Sequence, residues 1–412
     1  MPKIMLLTTD RSYRNNAFFQ AAQRLDIDVL PVVDMTPALA AQWPQRIGVD
    51  FGRPDDAAQA LATMARADDV HAVMAVDDAG TLVAAKTAQR LGLPHNDPAA
   101  AHAARNKLTM RTMMAAGGVP CPWFRAFTTA DDPCDVAAQA PYPCVVKPVN
   151  LNGSRGVMRA DTPNELAARI ARLARLLAAD QPGGAPYAYL VEGFIPGREV
   201  ALEGLLDDGR LIVLALFDKP DPLDGPFFEE TIYVTPSRLP DAVQADIARC
   251  VEDAAGALGL RTGPVHAELR VNDAGPWMLE VAGRSIGGLC SQTLRFGVDA
   301  SLEELILRQA CGLELPSTQR AGRASGVMMI PIPAAGVLQR VDGVDAARAV
   351  PGIEGVEITA KLHYGLTPLP EGDAYLGFIF ARGDAPAVVE EALRMAHRQL
   401  HFTILPEFAL DA

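Results

Sequence analysis

The sequence predicts an α/β fold that continues into a mixed α+β segment. Three observations indicate this: short apolar runs alternate with helical patterns at the start, two β-hairpins follow, and a fresh set of strands and helices begins at Ser325. The chain has 412 residues, enough for two or three domains of about 150 residues. Hydrophobic residues make up 49% and charged residues 21% of the chain. These values are typical of a packed globular protein and exclude a disordered or low-complexity chain.

The N-terminal part of the chain predicts a parallel sheet. Apolar runs and amphipathic periods alternate, with strands at 3–7, 29–33 and 72–76 and helices at 16–25, 56–67 and 81–91. A β-α-β order of this kind produces parallel strands. Pro31 favours an edge position for the second strand or leaves the boundaries of that strand undefined. No G-x-G-x-x-G pattern follows the first strand, which disfavours a dinucleotide-binding oxidoreductase.

Two acidic residues, Asp77 and Asp78, directly follow the third predicted strand. The carboxyl ends of parallel strands form the edge at which such sheets bind ligands. An aspartate at the start of a helix is also a common cap for free backbone N–H groups. We interpret Asp78 as a helix cap in preference to a substrate contact.

The rest of the chain predicts antiparallel strands interleaved with helices. The middle section has predicted helices at 99–116, 164–179 and 241–258, strands at 142–149 and 189–192, and a hairpin over 200–217. After Ser325 the predicted elements are strands at 327–332, 356–358, 375–381 and 402–405 and a helix at 385–399. We therefore predict three domains, at 1–98, 99–315 and 316–412.

A second hairpin over 263–281 carries the strongest chemical signal. Apolar residues alternate along its first strand with His266, Glu268 and Arg270, which therefore share one face. A three-residue turn at 273–275 places Glu268 directly opposite Glu280. Opposed carboxylates repel unless a proton or cation lies between them, and their hard oxygens suit Mg²⁺ with a polyphosphate. The alternatives are an exposed face with coincidental charges and, for His266, a purely structural role.

A phosphate-binding segment is predicted around Lys147. This lysine ends an apolar strand and is followed by a loop over 150–157 that is rich in glycine and small polar residues. Glycine lets backbone N–H groups approach an anion, and lysine adds a point charge. The Gly-Lys-Ser/Thr order of a Walker A loop is absent, and the segment alone is as typical of a surface turn. Lys107, taken alone, is typical of a solvated helix lysine.

Charge and cysteine usage exclude several classes of partner. The 50 acidic and 37 basic residues give a net charge of −13, which disfavours binding to nucleic acid or to anionic membranes. The start of the chain lacks the pattern of a signal peptide, and no apolar run has the length of a membrane-spanning helix. The six cysteines show neither close pairs nor metal-ligand spacing. We therefore expect reduced thiols and a cytoplasmic protein.

Taken in order, these motifs resemble those of the ATP-grasp superfamily of carboxylate–amine ligases. The residues that carry the resemblance are Lys107, Ala115-Ala116-Gly117-Gly118-Val119-Pro120-Cys121-Pro122, Tyr142-Pro143-Cys144-Val145-Val146-Lys147-Pro148, the glycine loop, Leu190-Val191-Glu192-Gly193-Phe194-Ile195-Pro196-Gly197-Arg198-Glu199 and Glu280-Val281-Ala282-Gly283-Arg284. The run Gly-Arg-Ser-Ile-Gly-Gly at 283–288 and the α+β tail are most similar to the L-amino-acid (dipeptide) ligase branch. The resemblance implies an ATP-grasp fold, with a pre-ATP-grasp domain before and an α+β domain after the ATP-binding and catalytic domain.

The resemblance also implies a role for individual residues. ATP would lie between two β-containing subdomains. Its phosphates would contact Lys107, Lys147 and Lys219, and the loop with Gly153, Ser154 and Gly156 would close over them. Val191 and Glu192 would lie beside adenine, and Glu199 would bind the ribose. Glu268 and Glu280 would bind Mg²⁺ or Mn²⁺, and Arg284 would stabilise the transferring phosphoryl group. Ala282 stands where many members carry Asn, so one ligand of a second metal ion is missing. A structural role for Glu199 at a strand edge stays open, and so does a solvated loop at 217–220 for Lys219.

The expected activity is that of an ADP-forming ligase that uses ATP and a divalent metal ion. ATP would phosphorylate the carboxylate of one amino acid, and the amine of a second would attack the acylphosphate, with His266 and Glu230 among the substrate contacts. Gly287 and Gly288 would leave room for a bulky substrate side chain. The expected partners are small molecules, and homodimer formation is left open. Two alternatives remain: an ATP-grasp activity on a small acid such as formate or bicarbonate, and an ATP-binding module without catalysis.

Overall fold

The predicted N-terminal parallel sheet is present. The computed structural model describes residues 1–10, 12–42, 47–181, 183–184 and 186–406. Its first strands are β1 (Lys3–Thr8), β2 (Asp28–Asp34), β3 (Ile47–Val49) and β4 (Ala72–Ala75). They form a parallel sheet in the order β3-β2-β1-β4. The helices of this part are α1 (Asn15–Arg24), α2 (Pro37–Ala40), α3 (Pro54–Ala67) and α4 (Asp78–Leu91).

Strand β2 lies inside this sheet, so the prediction of an edge strand is wrong. Pro31 aligns with Leu6 of β1 on one side. On the other side, and among the described residues, β3 aligns only with residues 32–34. Pro31 therefore lies just before the paired stretch, where its missing N–H donor interrupts no ladder hydrogen bond to β3.

The single helix predicted at 99–116 consists of two helices, α5 (Pro98–Ala103) and α6 (Lys107–Ala116). The Asn106 side chain caps α6 by accepting a hydrogen bond from the backbone N–H of Thr109 at 3.0 Å. Such a cap satisfies a donor that the helix itself leaves free. Lys107 consequently occupies the first turn of α6 rather than the middle of a helix. There its backbone N–H donates to the carbonyl of Val149, which ties α6 to the glycine loop.

A second, antiparallel sheet follows in the chain. Its strands are β5 (Phe124–Thr128), β6 (Cys144–Pro148), β7 (Met158–Ala160) and β8 (Ala188–Gly193), in the order β5-β8-β6-β7. Helices α7 (Pro133–Ala137) and α8 (Pro163–Asp180) pack on it. This unit has its own hydrophobic core, in which Ile170 and Leu173 of α8 lie against Tyr189 of β8. The glycine loop connects β6 to β7 and therefore projects from its edge.

The remaining elements build a large antiparallel sheet and a small one. The strands are β9 (Arg198–Asp207), β10 (Arg210–Asp218), β11 (Ile232–Thr235), β12 (Gly263–Asn272), β13 (Gly275–Ala282), β14 (Ala324–Ile330), β15 (Gly336–Asp342), β16 (Ile353–Ile358), β17 (Gly365–Leu366), β18 (Gly377–Gly383) and β19 (His401–Leu405). Eight of them pair in the order β13-β12-β9-β10-β11-β14-β18-β16, and three pair as β17-β15-β19. The helices are α9 (Asp241–Leu258), α10 (Leu302–Ala310), α11 (Val344–Arg348) and α12 (Pro386–His397), with a 3₁₀ turn at Cys290–Thr293. The eight-stranded sheet runs across the boundary predicted at 315/316, and the three predicted domain limits stay predictions.

The two faces of the eight-stranded sheet bury different cores. On one face, Val265 and Leu269 of β12 pack with Val251 of α9 and Met110 of α6. On the other, Phe217 of β10 belongs to a core that includes residues of the N-terminal domain and of α10. Burial of apolar surface of this kind is the main stabilising contribution to a fold. The second of these cores includes Ala72 and Val76, so it holds the carboxyl end of β4, where Asp77 and Asp78 lie, against the eight-stranded sheet.

None of the helices in the described part of the chain combines the length and the apolar character needed to cross a membrane.

Candidate functional site

One cavity collects most of the residues singled out from the sequence. It has a volume of about 440 Å³ and lies between the end of β4, the second sheet and the eight-stranded sheet. Its lining includes thirteen predicted site residues: Lys107, Lys147, Gly153, Ser154, Glu192, Glu199, Glu230, His266, Glu268, Glu280, Arg284, Gly287 and Gly288. Gly156, Val191 and Lys219 are not part of the lining.

The acidic hairpin has the predicted cross-strand pair but reaches it differently. Glu268 of β12 aligns with Glu280 of β13. The turn, however, has two residues, because Asn272 aligns with Gly275, so the predicted three-residue turn is wrong. A bulge in β13 between Met278 and Glu280 shifts the register by one residue. Bulges of this kind re-aim side chains next to functional sites, and here the bulge restores the alignment of the two glutamates.

The alternation along β12 is confirmed. Ala267 and Leu269 are fully buried in the core shared with α9. His266, Glu268 and Arg270 line the cavity on the opposite face. The two-residue period of a strand therefore separates the residues that hold the sheet from those available for chemistry.

Lys219, at the end of β10, is enclosed by carboxylates. Its Nζ lies 2.9 Å from Glu199 Oε1 and 3.3 Å from Glu268 Oε1, and it also contacts Glu230. Burial alone would lower the pKa of Lys219, but the three carboxylates outweigh burial and raise it. The lysine is therefore a permanent cation beneath the cavity wall, where it holds the three acidic side chains together.

The acidic residues of this cluster differ in their affinity for protons. Burial and the neighbouring charge of Glu268 raise the pKa of Glu230. Burial also opposes ionisation of Glu268, but Lys219 and His266 outweigh it and hold the pKa of Glu268 well below its usual value. Tyr233 donates a hydrogen bond to Glu230 at 2.7 Å. Glu268 therefore holds its negative charge more firmly than Glu230 does.

A second charged cluster lies where the second sheet meets α6. Glu192 accepts from Lys147 Nζ at 2.7 Å and from Arg111 Nε at 2.7 Å. All three side chains are almost fully buried. Burial and the charge of Arg111 lower the pKa of Lys147 to about 8, although Glu192 opposes this shift. Arg111, which orients Glu192 and thereby Lys147, was not predicted from the sequence.

Lys107 joins the glycine loop to the acidic hairpin. Its Nζ donates to the carbonyl of Leu151 at 2.8 Å and lies 3.2 Å from Glu280 Oε1. The side chain is only 6% exposed. In this position the lysine faces the same cavity as Lys147, on the side of the loop.

The glycine loop contributes Gly153 and Ser154 to the cavity, whereas Gly156 packs behind it. The backbone at Gly156 has a φ of +74°, and a Cβ there would lie 3.0 Å from Leu173 and 3.1 Å from Pro148. Both the positive φ and the close packing require glycine at this position. Its N–H donates to the carbonyl of Pro370, so Gly156 shapes the loop and offers no free donor to a phosphate.

The Val191 side chain is fully buried and is not part of the cavity lining, and its predicted place beside adenine stays a prediction. It lies inside the second sheet, where it aligns with Arg125 on one side and with Val146 on the other. The backbone that lines the cavity follows directly, at Gly193, Phe194 and Ile195.

Glu199, predicted at the ribose, lies on the cavity wall with both carboxylate oxygens engaged. One oxygen contacts Lys219, and the other accepts from Arg270 Nε at 3.0 Å. Arg270 also donates to the carbonyls of Ile195 and Leu223. The surroundings are therefore buried and ionic, which excludes an exposed strand-edge charge for Glu199.

His266 is held between two carboxylates. Its Nδ1 lies 3.1 Å from Glu203 Oε2, and its Nε2 lies 3.5 Å from Glu268 Oε1. Burial would lower the pKa of His266, but the hydrogen bonds to both glutamates outweigh it and raise the pKa. Glu203 is fully buried and accepts the backbone N–H of Ile286 with both oxygens, at 3.0 and 3.2 Å. It was missed from the sequence, although a single acid inside an apolar strand is a signal of a specific partner.

Asp78 pairs with Arg284, so its interpretation as a helix cap is wrong. Arg284 Nε donates to Asp78 Oδ2 at 2.8 Å, and Asn152 of the glycine loop donates to the same oxygen at 3.1 Å. No side-chain hydrogen bond caps α4 at Asp77. Arg14, also missed, is 3% exposed and donates to the carbonyls of Ser285 and Ile286. The turn after the hairpin is therefore fixed from the N-terminal domain.

Gly287 and Gly288 have different surroundings. A Cβ at Gly287 would meet no atom within 4 Å. At Gly288 the φ is +59°, and a Cβ would lie 2.9 Å from the Phe378 ring and 3.6 Å from Cys290 Sγ. Space for a substrate side chain is consequently found at Gly287, while Gly288 is required by the backbone and by Phe378. Cys290 is 2% exposed, as expected for a structural thiol.

The donor set fits a hard divalent cation. Among the described residues, Glu199, Glu230 and Glu268 form an acidic group whose oxygens lie within 4.8 Å of one another. Lys219 is the cation that pairs with that group, and Lys107 is the cation that pairs with Glu280. Mg²⁺ takes oxygen ligands and is usually bound by one or two carboxylates together with water and substrate phosphates. Glu280 is not a member of this group, but it aligns with Glu268 across the hairpin and offers the same type of oxygen ligand.

Three family models match successive parts of the chain. They are described as an ATP-grasp N-terminal domain, over residues 19–95, an ATP-grasp domain, over residues 140–293, and an L-amino acid ligase C-terminal domain 2, over residues 328–404. The crystal structure of an L-amino acid ligase from Bacillus licheniformis superimposes with a TM-score of 0.83 at 24% identity and covers 98% of this chain and 99% of that one. It shares the fold described above.

Sequence relatives give a similar picture. An uncharacterized protein, y4rH, of Sinorhizobium fredii is 25% identical over 98% of this chain and 84% of its own length. Carnosine synthase 1 of Gallus gallus is 31% identical over 64% of this chain, and alanine–anticapsin ligase of Bacillus amyloliquefaciens is 26% identical over 64% of it. The chain spans 30% of the length of that carnosine synthase and 58% of that of the anticapsin ligase.

Proposed function

We infer that this chain, which belongs to the ATP-grasp superfamily, is an ATP-dependent, ADP-forming ligase that joins a carboxylate to an amine. The observation that carries this proposal is the placement of Lys107 and Lys147 on the wall of the same cavity as the cross-strand pair Glu268 and Glu280. Cations and carboxylates facing one cavity are the groups needed to bind a metal-complexed triphosphate.

The triphosphate would lie between the second sheet and the acidic hairpin. Lys147 and Lys107 would bind its oxygens, and the loop at Gly153 and Ser154 would cover them. Binding of metal-complexed ATP would separate Lys107 from Glu280, because the Glu280 carboxylate would then bind the metal ion and the Lys107 ammonium group would bind a phosphate. Mg²⁺ or Mn²⁺, held by Glu268 and Glu280, would neutralise charge on the phosphates.

The chemical steps need positioning more than covalent work by the protein. A carboxylate oxygen attacks the γ-phosphorus, the bond to the β,γ-bridging oxygen breaks, and ADP leaves. The amine nitrogen then attacks the carbonyl carbon of the acylphosphate, the C–O bond breaks, phosphate leaves, and the nitrogen loses a proton to the departing phosphate or to solvent. Arg284, fixed by Asp78, would stabilise the charge that develops on the phosphoryl group and on the tetrahedral species. His266, fixed by Glu203, would contact the substrate.

We propose amino acids as the two substrates. The support is the match of residues 328–404 to the C-terminal domain of L-amino acid ligases and the similarity to a ligase named for alanine. Gly287 would face the substrate side chain, because space is open there. A cytoplasmic location is part of the same proposal and is supported by the free cysteines of the described chain.

A survey of amino-acid pairs tests this function. The enzyme is incubated with ATP, Mg²⁺ and pairs of amino acids, ADP is quantified, and products are analysed by mass spectrometry. We expect ADP release that depends on an amino-acid pair and an equal amount of amide product. ATP turnover that depends on formate or bicarbonate and needs no amino acid would favour a small-acid activity. ATP binding without turnover by any acid would favour a non-catalytic module.

A further inference from the structure

A segment of the C-terminal domain contacts the glycine loop from outside the cavity. The segment, residues 369–375, connects β17 to β18, and we call it the crossing segment. The carbonyl of Pro370 accepts the N–H of Gly156 at 2.8 Å. The carbonyl of Glu371 accepts from Arg155 Nε at 2.6 Å. Two consecutive loop residues are thus bonded to two consecutive residues of the crossing segment.

Side chains extend this contact to the helix behind the loop. Glu371 forms a two-point ion pair with Arg172 of α8, with distances of 2.6 and 2.8 Å. Arg155 also forms a two-point ion pair with Asp180, at the end of the same helix. Such paired geometry fixes direction as well as distance. The loop, α8 and the crossing segment are therefore joined through two arginines.

The crossing segment also reaches the cavity. Asp373 and Tyr375 are part of the cavity lining. A Cβ at Gly153 would lie 3.4 Å from the Asp373 side chain, so this tip of the loop rests directly on the segment. On its other side the loop is held by Asn152, which donates to Asp78. The loop is consequently held between the N-terminal and the C-terminal domains.

We propose that Glu371 is a positioning residue, through which the C-terminal domain holds the glycine loop closed over the reacting phosphates. This inference rests on the proposed function and adds to it a role for the C-terminal domain. An acylphosphate is lost to water unless the site that holds it is closed. The crossing segment gives the loop a fixed partner in the closed position, and its release would let water compete with the amine.

Because these ion pairs are partly exposed, the positioning role can be tested without a change in fold stability. The side chains of Arg172 and Glu371 are 33% and 39% exposed, and those of Arg155 and Asp180 are 24% and 22% exposed. Ion pairs with this partial exposure contribute little to folding. Replacing them should therefore leave the protein folded. A matched control exists in the same domain, where Arg382 and Glu354 form an ion pair at 2.8 Å with similar exposure and no contact with the loop.

The test compares the double variant R155M/E371Q with the control E354Q. In the double variant we expect the ratio of phosphate released to amide formed to rise by about tenfold, because the loss of charged hydrogen bonds shifts the open population by about that factor. The melting temperatures of both variants should match that of the wild type. The single variant E371Q, which keeps Arg155, should also raise the ratio, and the exchanged pair R172E/E371R should recover most of the wild-type ratio relative to E371Q. An unchanged ratio in the double variant overturns the proposal, and failure of the exchanged pair to recover the ratio overturns the role of the ion pair.

Hydrogen exchange separates this proposal from the proposed function. With Mg²⁺ and a non-hydrolysable ATP analogue, the amides of residues 150–157 should exchange about tenfold faster in R155M/E371Q than in the wild type or E354Q. If the wild type forms no amide from any pair of amino acids, the ligase proposal fails, while the exchange result still decides the positioning role. Equal exchange in the wild type and the double variant overturns that role.

Discussion

Arg284 and Asp78, 206 residues apart in the chain, form a charged hydrogen bond of 2.8 Å inside the cavity. Arg284 follows the acidic hairpin, and Asp78 begins the helix after β4. Burial would lower the pKa of Arg284, but Asp78 outweighs it and raises the pKa. The aspartate therefore holds a permanently charged guanidinium in one orientation, close to the proposed site of phosphoryl transfer.

Asp78→Asn should lower kcat and leave the KM for ATP nearly unchanged. The carboxamide keeps the size of the side chain but removes the charge that orients Arg284, and a charged hydrogen bond of this kind is worth about 1.5–3 kcal/mol, or about 10- to 100-fold in rate. Steady-state kinetics of ADP release measure both constants. Asp55→Asn, which breaks an exposed ion pair with Lys86, is the control and should behave as wild type. A rise in KM with unchanged kcat would assign Asp78 to substrate binding instead.

ATP binding should weaken at alkaline pH because of Lys147. Its pKa is lowered to about 8 by burial and by Arg111, so its charge is complete below that pH and is lost as pH rises through it. Bound phosphate favours the charged form of Lys147. ATP binding should therefore be accompanied by the uptake of a proton at pH values between about 8 and the ordinary lysine pKa of about 10.4. Calorimetry at about pH 9 in buffers of different ionisation enthalpy measures this uptake.

Lys147→Arg is the matched variant for that measurement, because arginine stays charged throughout this range. Its ATP affinity should be independent of pH between about 7 and 9. The same pH dependence in the wild type and in this variant would remove Lys147 as its cause.

Gly288→Ala should destabilise the protein by about 1–3 kcal/mol. The added Cβ would meet Phe378 at 2.9 Å, and the φ of +59° disfavours any L side chain. Gly287→Ala is the adjacent control, since a Cβ there meets nothing within 4 Å. Thermal unfolding of both variants gives the comparison. Equal melting temperatures for the two would contradict the packing at Gly288.

Glu280→Gln should raise the Mg²⁺ concentration needed for half-maximal activity by at least about tenfold. The amide oxygen is a weaker ligand than a carboxylate for a hard cation. Titration of activity with Mg²⁺ at saturating ATP measures the shift. Glu357→Gln, on the exposed side of β16, is the control. Full activity of Glu280→Gln at unchanged Mg²⁺ would mean that the acidic hairpin does not bind the metal.

The parts of the site that depend on short-range periodicity could be predicted from the sequence. The two-residue period of β12 placed His266 and Glu268 on the ligand face. The alignment of Glu268 with Glu280 was predicted through a wrong turn, and the bulge before Glu280 compensates for the missing turn residue. Apolar alternation encodes neither a bulge nor the length of a turn. The alignment was predicted correctly because the two errors, a turn one residue too long and a missing bulge, cancel each other.

Long-range partners were not predictable in the same way. Arg14 donates to carbonyls more than 270 residues away, and no residue near Arg14 in the chain indicates these partners. Asp78 carries the local signature of a cap, and its true partner is supplied by the tertiary fold. The helix break before Lys107 was within reach, since Asn106 is a favoured cap residue. Contacts between domains set the rest.

The measurement that tests the central claim most directly is the fate of an oxygen-18 label in the carboxylate of the substrate. Formation of an acylphosphate transfers one carboxylate oxygen to phosphorus, and attack by the amine leaves it there. Mass spectrometry of the inorganic phosphate should therefore show one labelled oxygen for each amide formed, together with one ADP. Unlabelled phosphate accompanying labelled amide, or label recovered in AMP, would contradict an ADP-forming ligase that proceeds through an acylphosphate.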